Sequence, residues 1–95
     1  MESIKINLDK RNWQRFCQFA FIQVLDRNKA NKDKKKLFTF NYAYDEIEIM
    51  LVENVSEFDK PILNSITIDQ TQYEAGNVPD IDFIQDCFKQ LESSN

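Results

Sequence analysis

The sequence predicts an α+β fold with the element order βαβββα, in which a four-stranded, mostly antiparallel sheet carries two helices packed on one face. Three observations lead to this prediction: short segments alternate apolar and polar residues, two longer segments have apolar residues at helical spacing, and no repeat or linker divides the chain. The length of 95 residues, 42% of them hydrophobic, suits one compact core. We therefore expect residues 1–95 to form a single domain.

The N-terminal part predicts a short strand followed by a long helix. Ile4, Ile6 and Leu8 alternate with polar residues, which is typical of a half-buried strand over residues 4–8. Asp9 is suited to cap a helix over residues 10–28. The apolar residues at helical spacing in this segment are Trp13, Phe16, Cys17, Ala20, Phe21, Val24 and Leu25.

The middle of the chain predicts a β-hairpin. Residues 37–44 and 47–55 alternate in character and are separated by Asp45 and Glu46, which we interpret as a two-residue turn. This even turn aligns aromatic residues of one strand with aliphatic residues of the other, and it places Phe40 opposite Leu51.

The C-terminal part predicts a fourth strand and a second helix. Residues 62–68 place Ile62, Ile66 and Ile68 on one side of a strand. The stretch 69–80 contains the chain's one glycine and reads as a surface loop. A final helix is expected over residues 79–91, with Ile84, Cys87, Phe88 and Leu91 on one stripe.

The composition argues against several kinds of chemical site. Histidine is absent, which removes the commonest general base and metal ligand, and the single Gly76 cannot form a glycine-rich phosphate loop. Cys17 and Cys87 stand far apart without a C-x-x-C motif, so we interpret them as reduced core thiols rather than a disulfide or a reactive pair. We expect no enzyme, no cofactor and no metal ion.

The N-terminal residues and the hydropathy predict a cytoplasmic location. The first residues alternate in polarity and lack the basic and apolar regions of a signal peptide. The longest apolar run, residues 49–52, is too short to cross a bilayer. We therefore expect no membrane partner.

The charge is divided unequally along the chain, whose net charge is −4. Residues 1–36 hold ten Lys and Arg against four Asp and Glu, whereas residues 37–95 hold two against twelve. The basic residues concentrate in residues 27–36, which lack the aromatic side chains on which single-stranded nucleic acids stack. We interpret them as a solvated helix end and loop, and we do not expect nucleic acid to be a partner.

The predicted element order resembles, in part, the αβββα order of double-stranded-RNA-binding domains. Those domains carry a basic cluster at the start of their last helix. Pro79-Asp80-Ile81-Asp82 occupy that position in this sequence, so the family's contact residues are not present and its function does not carry over.

The sheet face opposite the helices combines carboxylates with apolar residues, and we expect it and the neighbouring strand ends to bind a basic protein. A small acidic inhibitor would use such a surface to cover the basic site of a nuclease or other nucleic-acid-handling complex. An immunity protein of a toxin system and a phage-encoded anti-defence protein both fit this description. The predicted partner-binding residues are Asp45, Glu46, Glu48, Met50, Val52, Glu53, Glu57, Asp59, Leu63, Thr67 and Asp69.

The alternative is a module that self-associates or serves as a subunit of a larger complex. Phe19 and Ile22 lie on the first helix but away from its main apolar stripe. We expect them, or an edge strand, to form the contact between two copies in a homodimer.

Overall fold

A computed structural model describes residues 2–31, 35–54 and 61–93, of which residues 2–11 are described as backbone only. Within these ranges the chain forms three helices and one antiparallel sheet with the strand order β1-β2-β3. The elements are α1 (Glu2–Ala30), β1 (Lys36–Tyr42), β2 (Glu46–Glu53), β3 (Ile62–Asp69), α2 (Gln70–Gly76) and α3 (Asp80–Ser93).

The predicted βαβββα order with four strands and two helices is wrong, because the order is αβββαα. Residues 4–8, expected as the first strand, belong to α1. Ile4 and Leu8 are four residues apart, a spacing that a helix also provides. No glycine or proline occurs between residues 2 and 30, and a nucleated helix gains one hydrogen bond for each residue it adds. The helix therefore continues through the segment.

The hairpin between β1 and β2 turns one residue earlier than predicted. The amide of Ala43 donates to the carbonyl of Glu46 at 2.8 Å, so the turn consists of Tyr44 and Asp45. The turn still contains two residues, but the strand register differs by two, and the predicted pairing of Phe40 with Leu51 is wrong. A shift of two residues keeps every side chain on its expected face.

The observed register favours burial of Phe38. Phe38 lies opposite Leu51 and is 8% exposed, and its ring meets Phe88 of α3 edge to face at 5.0 Å. Phe40 lies opposite Ile49 and is half-buried. This register exposes the ring of Tyr44 in the turn. The exposure costs little free energy, because the hydroxyl of a tyrosine is well solvated by water.

The core lies between one face of the sheet and the helices α1 and α3. Its buried members from α1 are Trp13, Phe16, Cys17, Ala20 and Val24; those from the strands are Phe38, Ile47, Ile49, Leu51 and Ile68; those from α3 are Ile84, Cys87, Phe88 and Leu91. Burial of this apolar surface is the main term that stabilises the domain. The opposite face of the sheet carries no helix among the described residues.

Helix α2 replaces the predicted surface loop after β3. Asp69 caps it, since its Oδ1 accepts from the amide of Gln72 at 2.6 Å. Tyr73 stacks on Phe16 at 4.4 Å between ring centroids and anchors the helix to the core. Asn77 ends the helix in the left-handed conformation, with φ of 51°.

None of the helices in the described ranges is both long enough and apolar enough to cross a bilayer.

Candidate protein-binding site

The open face of the sheet brings several of the predicted carboxylates together. Even-numbered residues of β2 share this face, because Ile47, Ile49 and Leu51 point into the core. Glu46 lies directly opposite Asp69 of β3.

The pair of Glu46 and Asp69 is closely spaced. The amide of Gln70 donates to the carbonyl of Asp45 at 2.8 Å, so hydrogen bonds between β2 and β3 flank the pair and do not join it. Side chains in such non-hydrogen-bonded pairs approach more closely than in the alternate pairs. Like charges directly opposite each other destabilise a sheet, so the repulsion from Glu46 offsets part of the stability that Asp69 contributes as the cap of α2.

Neighbouring residues continue this negative surface. Glu48 stands next to the pair on the same face, and its Oε1 is 3.4 Å from the amide Nδ2 of Asn41. Asp45 is exposed in the turn, and Thr67 is exposed opposite Glu48.

The start of α3 and the end of α2 add three acids at the same end of the molecule. Glu74 lies in α2, which begins directly after β3, and Asp80 and Asp82 lie in the first turn of α3. The hydroxyl of Tyr73 donates to Oδ1 of Asp80 at 2.7 Å and ties α2 to α3. Burial, followed by this hydrogen bond, raises the pKa of Tyr73. We name the whole group the acidic end: Asp45, Glu46, Glu48, Asp69, Glu74, Asp80 and Asp82.

Four bases lie at the opposite end of the domain, whereas Arg15 lies on the half of α1 that flanks α2. Arg27 and Lys29 lie in the last turn of α1, and Lys35 and Lys36 lead into β1. Arg27 forms an ion pair with Glu92 at 3.5 Å and lies 4.2 Å from the ring centre of Phe88. Among the described residues this is the one ion pair found, so the carboxylates of the acidic end are not neutralised by described Lys or Arg side chains.

The remaining predicted partner-binding residues do not join this cluster. Met50 is half-buried on the open face, Val52 is buried at 5% exposure, and Leu63 packs against the core. Glu53 lies at the far end of β2, opposite Lys36.

Two further sets of predicted residues have separate positions. Glu57 and Asp59 lie outside the described residues. Phe19 is half-buried and packs against the core, whereas Ile22 is 51% exposed. The two residues proposed for self-association therefore do not share one exposed surface.

Sequence reasoning did not include Glu74, Asp80 and Asp82 in the site. Asp80 and Asp82 stand at the start of the helix expected over residues 79–91, where acids favour the helix N-terminus, and Glu74 lies in the stretch expected as a surface loop. The signal that could have placed Glu74 is Asp69 three residues before Gln72, a capping pattern that predicts a short helix here.

The two cysteines are not part of this surface. Cys17 and Cys87 are free and buried, and burial raises the pKa of each thiol to about 11. Within the described ranges, no three potential ligand side chains of the His, Cys, Asp and Glu types cluster as a metal site would require.

Comparison with known proteins found no match: no family model, no curated protein and no solved structure is significantly similar to the chain.

Proposed function

We propose that this chain is a small acidic, non-enzymatic binding protein whose acidic end docks on a basic protein and inhibits it. The observation that carries this proposal is the close pair of Glu46 and Asp69, which no described basic residue neutralises. A partner's Lys or Arg side chains would relieve the repulsion between these carboxylates, so binding would regain free energy that the free protein lacks.

The class of partner follows from the charge and the rigidity of the surface. Carboxylates held by a sheet and by helix ends resemble the phosphates of a nucleic acid in charge. A nuclease toxin or another nucleic-acid-handling protein exposes the complementary basic surface. The chain would then act as the immunity protein of a toxin system or as a phage-encoded anti-defence protein.

We also propose a cytoplasmic location. Cys17 and Cys87 are buried free thiols, and free thiols are typical of a reducing compartment.

The first experiment tests whether the acidic end directs binding. The purified protein and the product of the adjacent reading frame are mixed, and association rates are measured at low and high salt. Reversal of Asp45 and Glu48 to Lys should slow association about tenfold at low salt, and salt near 1 M should remove most of the difference. A matched control reverses Asp26 and Glu53, which lie at the opposite end of the domain, and should have a much smaller effect. Tight binding that is insensitive to salt and to the first pair of reversals would contradict the proposal.

The second experiment needs no partner. Glu46→Gln removes the like-charge pair and should raise the free energy of unfolding by up to about 1 kcal/mol at low salt. Glu48→Gln is the control, because Glu48 faces Thr67 and the amide of Asn41 instead of a second carboxylate. A gain in stability that accompanies weaker partner binding is the expected signature of a surface retained for function. Equal responses of the two variants would remove the observation on which the proposal stands.

A further inference from the structure

The outer edge of β1 is divided into a sealed half and an open half. The amide of Ala43 donates to Glu46, and the amide of Asn54 donates to the carbonyl of Lys35 at 2.6 Å. These bonds at the two ends fix which residues of β1 pair with β2: the odd-numbered ones do, and the even-numbered ones direct their backbone groups away from the sheet. Lys36, Phe38, Phe40 and Tyr42 are therefore the residues whose backbone groups point outward at this edge.

Side-chain amides from α1 seal the first half of this edge. Nδ2 of Asn28 donates to the carbonyl of Phe38, and Oδ1 of Asn28 accepts from the amide of Phe38, both at 2.9 Å. Nδ2 of Asn31 donates to the carbonyl of Lys36. Asn28 thus makes both hydrogen bonds that a neighbouring strand would make.

The second half of the edge is open. Within the described residues, the outward backbone groups of Phe40 and Tyr42 have no hydrogen-bond partner. A groove of about 390 Å³ lies beside them, lined by Gln14, Cys17, Gln18, Phe21, Phe40 and Tyr42. Phe21 and Tyr42 are 46% and 56% exposed, and the ring of Phe21 lies 5.4 Å from that of Phe40. Phe21 belongs to the apolar stripe predicted for the first helix, so its exposure on this rim departs from the sequence pattern.

The other edge of the sheet does not offer a comparable segment. The amide of Ser65 donates to Oδ1 of Asn64, and Asp69 passes into α2 as its cap. The outward backbone groups of Thr67 and the carbonyl of Ser65 have no described partner, but the groove beside this edge contains Asp86, so two copies would bring like charges together here.

We propose that residues 40–42 pair antiparallel with the same residues of a second copy of this chain. A twofold axis through Asn41 places Phe40 of each copy opposite Tyr42 of the other, where each pair exchanges both backbone hydrogen bonds. The two three-stranded sheets then join into one continuous sheet. This inference concerns β1 and is independent of the acidic end on the open face.

Two features favour a second copy over a foreign strand as the occupant. The open segment is centred on Asn41 and ends where Asn28 seals Phe38, so its free donors and acceptors complement themselves under twofold symmetry. The groove lining is also uncharged, which allows two molecules of net charge −4 to approach here without direct repulsion.

The packing expected in the dimer fits the same groove. Directly opposite residues of an antiparallel pair lie on the same face of the sheet. Tyr42 of the second copy would therefore lie beside Phe40 and Phe21, covering rings that are now partly in solvent.

The first test compares Tyr42→Pro with Tyr42→Ala. Both variants remove the ring, but only proline removes the N–H that points away from β2, and proline is tolerated at such edge positions. Sedimentation equilibrium of the full chain from about 10 µM to about 0.5 mM measures the dimer. The dissociation constant of Tyr42→Pro should exceed that of Tyr42→Ala about 30-fold, because two hydrogen bonds between copies are lost, each worth about fivefold. Circular dichroism checks that both variants are folded.

The second test places a charge in the neutral groove. Phe21→Glu should raise the dissociation constant at least about tenfold, because it brings like charges together across the twofold axis. Ile22→Glu is the matched control, since Ile22 is similarly exposed but about 100° away around α1, and it should leave the dimer unchanged.

Three outcomes would overturn the proposal. The unmodified protein could remain a monomer throughout the concentration range, including the case in which β1 instead pairs with a strand of another protein. Tyr42→Pro and Tyr42→Ala could dimerise equally well. Ile22→Glu could dissociate the dimer while Phe21→Glu does not, which would move the contact to the outer side of α1.

Discussion

Asn28 takes the place of a neighbouring strand beside β1, so its removal tests how this sheet edge is held. Asn28→Ala deletes two hydrogen bonds of 2.9 Å and leaves the amide and carbonyl of Phe38 unpaired in a half-buried position. Each lost bond costs about 1 kcal/mol, and the unpaired groups raise the total toward about 3 kcal/mol. The higher helix propensity of alanine offsets about 0.5 kcal/mol. We expect the free energy of unfolding to fall by about 1.5 to 2.5 kcal/mol.

The assay is urea denaturation followed by circular dichroism, with hydrogen exchange at the amide of Phe38 as a local measurement. Lys29→Ala is the control, because Lys29 is the next residue along α1 and is exposed; it should change stability by less than about 0.5 kcal/mol. Asn28→Asp gives a second comparison. It keeps an acceptor for the amide of Phe38 but turns a carboxylate toward the carbonyl of Phe38, so its loss should be similar to that of Asn28→Ala or larger.

Equal stabilities of the Asn28→Ala and Lys29→Ala variants would refute this account of the edge. Retained protection of the Phe38 amide in Asn28→Ala would refute it as well, because that amide would then have another partner. The expected pattern is a loss of stability together with faster exchange at Phe38.

Three further predictions concern the aromatic residues of β1, the two buried thiols and Arg27. Phe38→Ala should cost about 3 to 5 kcal/mol and Phe40→Ala distinctly less in urea denaturation, because Phe40 is only half-buried; equal losses would contradict the observed register. The free energy of unfolding should fall as pH rises from about 9 to about 11. Burial raises the pKa of Cys17 and Cys87 from 9.0 to about 11, so the unfolded chain loses its thiol protons at lower pH than the folded protein. Constant urea midpoints across that range would contradict this prediction. Arg27→Ala should cost about 1 to 2 kcal/mol, most of it still present near 1 M salt, because the guanidinium packs on a buried ring while its ion pair is exposed; a loss abolished by salt would assign the effect to the ion pair.

The strands β1 to β3 and helix α3 could be predicted because their patterns are long and unambiguous. Alternation over β2 separates Ile47, Ile49 and Leu51 from Glu46 and Glu48, so both the buried face and part of the acidic end follow from it. A period of two survives an error of two residues in register, which is why the faces of residues 46–51 were right although the hairpin pairing was not. The irregularity between Leu51 and Val52 then buries Val52 and exposes Ile62, so the faces predicted for these two residues were wrong.

The N-terminal segment and α2 could not be predicted in this way. Three alternating apolar residues fit a strand, but two of them, Ile4 and Leu8, also fit one turn of helix. Helix α2 has a single anchoring ring, that of Tyr73, so its sequence shows no apolar periodicity.

The full acidic end could not be predicted because it is assembled by the tertiary fold. Asp45 and Asp80 are distant in sequence, and they reach the same end of the molecule only because β3 returns the chain to the hairpin turn before α3 begins. Glu46 lies opposite Asp69 only because of the way in which β2 pairs with β3. No sequence pattern indicated which residues of these two strands lie opposite each other.

The separation of the acidic end from the bases around Arg27 and Lys36 gives the described part of the monomer a dipolar component along its strands. Such a body experiences a torque as well as an attraction near a charged surface, so it turns its negative pole toward a basic partner before contact. In the twofold dimer the antiparallel β1 strands would point the two dipoles in opposite directions, so that they largely cancel. The dimer would then lose most of this steering, so a basic partner would associate faster with the monomer than with the dimer.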